Sequence, residues 1–165
     1  FRHFVPHLDS LMTGHVHYAS LDDVVRPASL SPVVINGLLR SQMGFQGLVM
    51  TDDLDMGAVL DVAPFDDVLT RALAAGNDLM MICHRVELCG QARAVLEGQP
   101  RPLLDASLAR VDRFKNGMQP PSTWSRGVFD ALTREIWDLR VAVLGEERAH
   151  ARSTEAGSRS PVERY

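Results

Sequence analysis

The chain has 165 residues, of which 45% are hydrophobic, and it carries a formal net charge of −4 with a pI near 5.8. These values predict a globular protein with a substantial core, and the negative charge gives no electrostatic basis for binding nucleic acid or an anionic membrane. No apolar run is long enough to cross a bilayer, and two cysteines, Cys83 and Cys89, are too few for a disulfide framework. Free thiols suit a reducing compartment, so we expect a cytoplasmic protein.

Predicted strands and helices alternate along the first 117 residues. Short apolar runs predict strands at residues 10–14, 48–50 and 78–83. Helical patterns follow, from Ser31–Pro32 to Gly44, from Pro64 to Gly76, and over residues 86–96 and 105–115. Strand–helix units in succession predict an α/β fold whose parallel sheet has helical crossovers. Periodicity alone leaves open whether this is an open sheet or part of a barrel.

The remainder of the chain has a different composition. Residues 117–122 read as a linker, and an amphipathic helix is predicted beyond them from apolar residues at helical spacing: Val128, Leu132, Ile136, Leu139 and Val143. We expect Trp124 and Trp137 to be buried as this helix docks, rather than to stack against a ligand. From residue 148 the sequence is polar and charged, which predicts a disordered tail. The expected divisions are therefore 1–117, 118–147 and 148–165.

Three carboxylates follow the second predicted strand. Alternation along a strand places Leu48, Met50 and Asp52 on one face and Val49, Thr51 and Asp53 on the other. The carboxyl ends of parallel strands are where α/β enzymes carry out their chemistry. The alternative is that Asp52, Asp53 and Asp55 cap the next helix and solvate a loop.

Two histidines in the sequence His15-Val16-His17 follow the first predicted strand. Residues two apart at a strand end point the same way, so with Asp52 or with Cys83-His84 they raise the possibility of a metal site. This gives one alternative function, a metal-dependent enzyme of the amidohydrolase kind. The other interpretation is a histidine whose ring forms hydrogen bonds within the protein and binds no metal, and we favour it for His17.

Several motifs in order resemble family 3 glycoside hydrolases, in particular their β-N-acetylhexosaminidase branch. They are Met-Thr-Gly-His-Val-His-Tyr at 12–18, Pro-Ala-Ser-Leu-Ser at 27–31, Leu-Leu-Arg at 38–40, Met-Gly-Phe-Gln-Gly-Leu-Val-Met-Thr-Asp-Asp-Leu-Asp-Met at 43–56 and Ala-Leu-Ala-Ala-Gly-Asn-Asp-Leu at 72–79. The resemblance covers residues 5 to 117. It implies the last strand–helix units of a TIM-like barrel, a partial barrel followed by an extra C-terminal helix.

The resemblance also implies an activity and a set of site residues. The family's enzymes are retaining glycosidases, here expected to act on an amino-sugar glycan or glycoside in carbohydrate or cell-wall metabolism. The first Asp of the Asp-Asp-Leu motif, which is Asp52, corresponds to the nucleophile, and His15 and Met56 are expected to line the sugar pocket. We expect Asp53 to be a loop or cap carboxylate. No metal or other cofactor is implied.

The chain departs from the family at the proton donor. In the N-acetylglucosaminidase branch this is a His on a loop of the form Lys-His-Phe-Pro-Gly-His-Gly-Asp, whereas residues 2–7 read Arg-His-Phe-Val-Pro-His. Because the glycines and the acid are missing, we assign the donor role to neither His3 nor His7. A chain with the nucleophile alone is expected to be inactive, and to need a complementing N-terminal half or to self-associate. A non-catalytic remnant or binding module is the other alternative function.

Overall fold

The computed structural model describes residues 2–150 and has the predicted α/β organisation. Three parallel strands lie in the order β1 (Ser10–Thr13), β2 (Leu48–Asp53) and β3 (Leu79–Met81). Ser10 pairs with Leu48 and Thr13 with Thr51, which brings the carboxyl ends of β1 and β2 to one edge. All three strands were predicted, although β3 is shorter than expected.

Helices connect the strands, as the parallel pairing requires. Between β1 and β2 lie a 3-10 turn Ala28–Leu30 and a ten-residue helix Val33–Gln42 wound in the wide π form, and between β2 and β3 lie α1 (Gly57–Leu60) and α2 (Phe65–Ala75). Two more helices, α3 (Leu88–Glu97) and α4 (Arg101–Gly117), follow β3. The predicted cap of the Val33–Gln42 helix is confirmed, because the Ser31 hydroxyl accepts the Val34 N–H at 3.1 Å. Gly44, with φ of 72°, turns the chain just after that helix.

The core lies between the sheet and the helices that cover one of its faces. Leu11 and Val49 pack with Ile35 and Leu39 of the Val33–Gln42 helix. A second apolar cluster lies beneath α2 and includes Leu54, Val59, Val68, Leu69 and Ala72. The opposite face of the sheet is less covered, since Met12 is 57% exposed and Met50 is half-buried. The alternation predicted for β2 is therefore confirmed, with the more accessible face carrying Asp52.

A buried ion-pair network joins the beginnings of β2 and β3 to the flanking helices. The Asp78 carboxylate accepts hydrogen bonds from Arg40 Nη2 at 2.6 Å, from Arg110 Nε at 2.7 Å and from the Val49 N–H at 2.9 Å. The Asp78 side chain is fully buried. The Ser107 hydroxyl donates to the Asp78 carbonyl at 3.1 Å. One carboxylate thus holds four segments of the chain together.

Replacing Gly76 by Ala should destabilise the protein by about 2 kcal/mol, since non-glycine residues pay about 1–3 kcal/mol in such a backbone conformation. Gly76 ends α2 with φ of 109°, and a Cβ there would meet the Asn36 Oδ1 at 2.2 Å. Gly90 is the matched control, because it lies within α3 with nothing within 4 Å of an added Cβ. Gly90→Ala should be neutral or stabilising. Urea unfolding measures both, and an equal effect of the two substitutions would contradict the prediction.

The described residues divide at Met118–Gln119 into two compact units. The second contains α5 (Arg126–Leu144), whose start is capped by the Ser125 hydroxyl, and α6 (Glu146–His150). The predicted amphipathic helix is present, but the predicted burial of Trp124 and Trp137 is wrong, since they are 72% and 38% exposed. No residue of α5 is buried. Its apolar side chains therefore have few neighbours in the part of the chain that the structure describes.

The C-terminal tail was predicted to be disordered from residue 148. Residues 148–150 instead belong to α6, and the rest of that prediction lies outside the described residues. Within residues 2–150, no helix is both long and apolar enough to span a membrane.

Candidate functional site

Asp52 lies near the carboxyl end of β2 on the sheet face opposite the helices. It is half-buried, and its Oδ1 accepts the Asp53 N–H at 2.8 Å. This is the single hydrogen bond recorded for its carboxylate among residues 2–150. The second oxygen is therefore available to an outside group, at the point where the pairing of β2 with β3 shifts register between Met50 and Asp53.

Asp53 has the opposite environment, because its side chain points toward the helix-covered face. Its Oδ1 accepts the N–H groups of Asp55 at 3.1 Å and Cys83 at 3.0 Å. Its Oδ2 lies 2.5 Å from His84 Nδ1. With all these contacts, Asp53 fastens the loop after β3 to the end of β2, which agrees with its expected role as a loop carboxylate.

Asp55 is fully buried and binds Arg85. The Arg85 N–H donates to Asp55 Oδ2 at 2.7 Å, and the guanidinium forms an ion pair with Oδ1. Burial by itself raises the pKa of the Asp55 carboxyl, but the hydrogen bonds from Arg85 outweigh it and leave that pKa lowered. Asp55 is thus a structural group that holds the loop after β3 through Arg85.

The helix-capping interpretation of these carboxylates is wrong. α1 begins after Met56, and no side chain caps it. Asp53 and Asp55 instead accept hydrogen bonds from residues 83–85, about thirty positions away in sequence. Of the three acids, Asp52 is the one with an accessible oxygen.

His15 is held on both sides of its ring. Its Nε2 lies 2.8 Å from the Asp53 carbonyl and its Nδ1 lies 2.7 Å from the Ser29 hydroxyl. Because a carbonyl only accepts, Nε2 must carry a proton, and the neutral ring then accepts the Ser29 hydroxyl at Nδ1. Both nitrogens are occupied, so His15 would contribute ring carbons to any pocket that it lines.

The predicted metal-binding set is not brought together. His17 Nε2 contacts the Asp22 carbonyl at 2.9 Å, and the cluster of potential ligands found within residues 2–150 contains neither His15 nor His17. A different set, Asp53, Asp55 and His84, has ligand atoms within 4.8 Å of one another. The carboxylates of this set already accept hydrogen bonds from Arg85 and from backbone N–H groups. Their geometry is that of a hydrogen-bonded loop anchor.

Met56 is half-buried at the start of α1, where its carbonyl accepts the N–H groups of Val59 and Leu60, each at 3.2 Å. The neighbouring Leu54 is fully buried in the core beneath α2. Its backbone position places Met56 just beyond the carboxylates of β2.

Sequence reasoning missed the partners of the two buried carboxylates. His84 and Arg85 lie three and four residues after β3 ends at Met81, at the same edge of the sheet as Asp53 and Asp55. Parallel strands end at the same edge of a sheet, so a histidine and an arginine after β3 could have been predicted to contact the carboxylates after β2.

In α/β proteins with a parallel sheet, ligands bind at the carboxyl ends of the strands, which is where Asp52 lies. The model of the glycosyl hydrolase family 3 N-terminal domain matches residues 5–114, and the chain belongs to this family. The resemblance drawn from the motifs is confirmed.

Named relatives and solved structures agree with this membership. The chain is 33% identical over 137 residues to a beta-hexosaminidase of Thioalkalivibrio sulfidiphilus, covering 83% of this chain and 36% of that protein. It is 32% identical over 147 residues to a beta-hexosaminidase of Chromobacterium violaceum, covering 87% and 41%. A family 3 beta-N-acetylglucosaminidase from Paenibacillus sp. FPU-7 superposes with a TM-score of 0.67 at 30% identity, covering 77% and 26%. The chain thus spans about two fifths or less of the length of these proteins.

Proposed function

We propose that this chain forms the nucleophile-bearing part of a retaining β-N-acetylhexosaminidase site, with Asp52 as the nucleophile. The observation that carries the proposal is the difference among the three acids. Asp53 and Asp55 are buried and hydrogen-bonded within the fold, whereas Asp52 keeps an oxygen available at the carboxyl end of β2. The names of the relatives supply the substrate class, an amino-sugar glycoside.

In the proposed reaction, Asp52 attacks the anomeric carbon while a proton donor on the other face assists the leaving group. Retaining enzymes place the two groups about 5 Å apart. Water then hydrolyses the glycosyl–Asp52 ester with the donor acting as base. The hydrogen bonds of His15 to Asp53 and Ser29 would hold its ring in place as one side of the sugar pocket beside Asp52. Met56 would supply an apolar surface to the same pocket.

We propose that residues 2–117 are the last units of a TIM-like barrel. Apolar grooves along both outer strands support this. One borders β3 and includes Leu79, Met80, Ile82, Leu104 and Leu108, and the other borders β1 and includes Leu11, Met12, Leu38 and Met43. A barrel closes such edges with further strands. The partner we propose is a complementing N-terminal half that brings the proton donor, and self-association is the alternative.

Fusing the upstream barrel half of a family 3 relative to this chain tests the proposal. The 165-residue chain alone should not release aryl alcohol from an aryl N-acetylglucosaminide, whereas the fusion should. Asp52→Asn should reduce the fusion's rate at least 10²-fold, an effect of the order expected for loss of a catalytic group. Asp23→Asn, at an exposed loop position, is the control and should not change it. Activity that survives Asp52→Asn would refute the assignment.

Chelators should not affect the same fusion, because a carboxylate nucleophile needs no metal. EDTA dialysis followed by a rate measurement and metal analysis checks this. The alternative metal-dependent enzyme predicts lost activity and stoichiometric zinc, which His15→Ala with His17→Ala would remove.

We also propose a reducing, cytoplasmic location. Cys83 and Cys89 are both free thiols on the surface. In an oxidising compartment such thiols would form disulfides, whereas a reducing compartment keeps them free.

A further inference from the structure

α5 exposes a continuous apolar stripe along one side. Its members are Phe129, Leu132, Ile136, Leu139 and Val143, which are between 52% and 72% exposed. At 100° per residue they fall within about 80°, just under a quarter of the helix circumference. A stripe of this kind on a soluble helix marks a surface that is buried against something else.

The spacing of the stripe is that of a heptad repeat. Phe129, Ile136 and Val143 are seven residues apart and occupy a positions, and Leu132 and Leu139 occupy the d positions between them. Two of the a residues, Ile136 and Val143, are β-branched, and β-branched residues at a with Leu at d favour two strands among parallel coiled coils. We propose that the α5 stripe pairs with the α5 of a second copy of this chain in a parallel, two-stranded coiled coil.

Charges beside the stripe agree with the parallel arrangement. In this register Glu135 is at a g position and Arg140 is at the e position five residues later. Parallel pairing brings g of one helix beside that e of the other, so Glu135 of each copy meets Arg140 of its partner. An antiparallel pair would instead place positions of the same type opposite each other. These charges therefore favour the parallel over the antiparallel direction for two copies of the helix.

The short helix α6 packs against a different side of α5. The rings of Trp137 and His150 lie 4.8 Å apart in an edge-to-face contact, and Val141 on the same side is half-buried. Trp137 is at a b position and Val141 at an f position, both away from the a and d residues. α6 therefore leaves the stripe accessible to a second helix.

The length of α5 limits the strength of the pair. Its 19 residues extend about 28 Å, and the stripe from Phe129 to Val143 covers just over two heptads. Short helices associate weakly, so the dimer should dissociate on dilution. We expect a dissociation constant on the order of 1–100 μM, measurable by sedimentation equilibrium.

The first measurement compares two glutamine substitutions in the full 165-residue chain. Leu139→Gln removes a d residue and should weaken dimerisation at least tenfold. Leu144→Gln removes an exposed apolar residue at a b position and should leave the dissociation constant within about twofold. Circular dichroism of both variants checks that the fold is retained. A monomer at 200 μM, or a dimer equally stable in both variants, overturns the proposal.

The second measurement tests the direction of the pair. In a Cys83→Ser, Cys89→Ser background, Leu132→Cys places a thiol at a d position, where parallel strands face the same residue of the partner. Mild oxidation should give a disulfide-linked dimer on a non-reducing gel. Arg134→Cys, at an f position, should crosslink far less. Equal crosslinking of the two variants, which association through the sheet edges would produce, overturns the proposal, as does no crosslinking of Leu132→Cys.

Discussion

An activated aryl N-acetylglucosaminide should leave its sugar covalently attached to Asp52 when the barrel is completed but its proton donor is removed. The fusion for this experiment carries an upstream half whose donor histidine is mutated. General acid–base assistance is typically worth about 10²–10⁴-fold, so natural glycosides with poor leaving groups should become almost inert. An aryl leaving group needs little protonation, and attack by Asp52 survives. Deglycosylation still needs a base, so the ester accumulates and peptide mass spectrometry locates it.

Two substitutions test which carboxylate carries the sugar. Asp52→Ala should abolish both the burst of aryl alcohol and the adduct, since it removes the carboxylate with the accessible oxygen. Asp53→Asn should still give an adduct at Asp52, because Asp53 is engaged with residues 55, 83 and 84. A label on Asp53 or Asp55 would place the nucleophile elsewhere. Product with inverted configuration and no adduct would refute the retaining mechanism.

Asp78→Ala should destabilise the chain by about 3–5 kcal/mol, the cost typical of removing one member of a buried ion pair. The substitution leaves Arg40 and Arg110 beside each other without their shared carboxylate. Burial lowers the pKa of Arg40, Asp78 acts in the opposite direction, and Arg110 lowers that pKa further. Loss of Asp78 therefore leaves a poorly solvated cation with a like charge nearby. Urea unfolding at low protein concentration measures the effect.

Asp105→Ala is the matched control for that substitution. Asp105 also pairs with an arginine, Arg101, at 2.8 Å, but both side chains are more than half exposed. Exposed pairs contribute about 0–1 kcal/mol, so this variant should unfold near the parent's midpoint. If both substitutions shift the midpoint equally, burial of the Asp78 network does not determine its contribution.

The strands and most of the helices were determined by local sequence. Leu48–Met50 reads as a strand because its apolar side chains suit a sheet, and the Ser31 cap and the Gly44 and Gly76 turns follow from single residues. Asp52 was found from its place after that strand and from the motif around it. These features depend on residues a few positions apart, so they are readable without the fold.

Tertiary structure decided which carboxylates are available. Asp53 and Asp55 look like Asp52 in sequence, but they are engaged by His84 and Arg85, about thirty residues away. The exposure of the tryptophans in the C-terminal unit could not be predicted from the sequence either. Amphipathic spacing predicts that a helix has an apolar side, but not which part of the protein packs against that side. Contacts between distant residues depend on how strands pair and end together. The sequence by itself determined the elements and the motif, and the pairing of β2 with β3 decided which acid remained accessible.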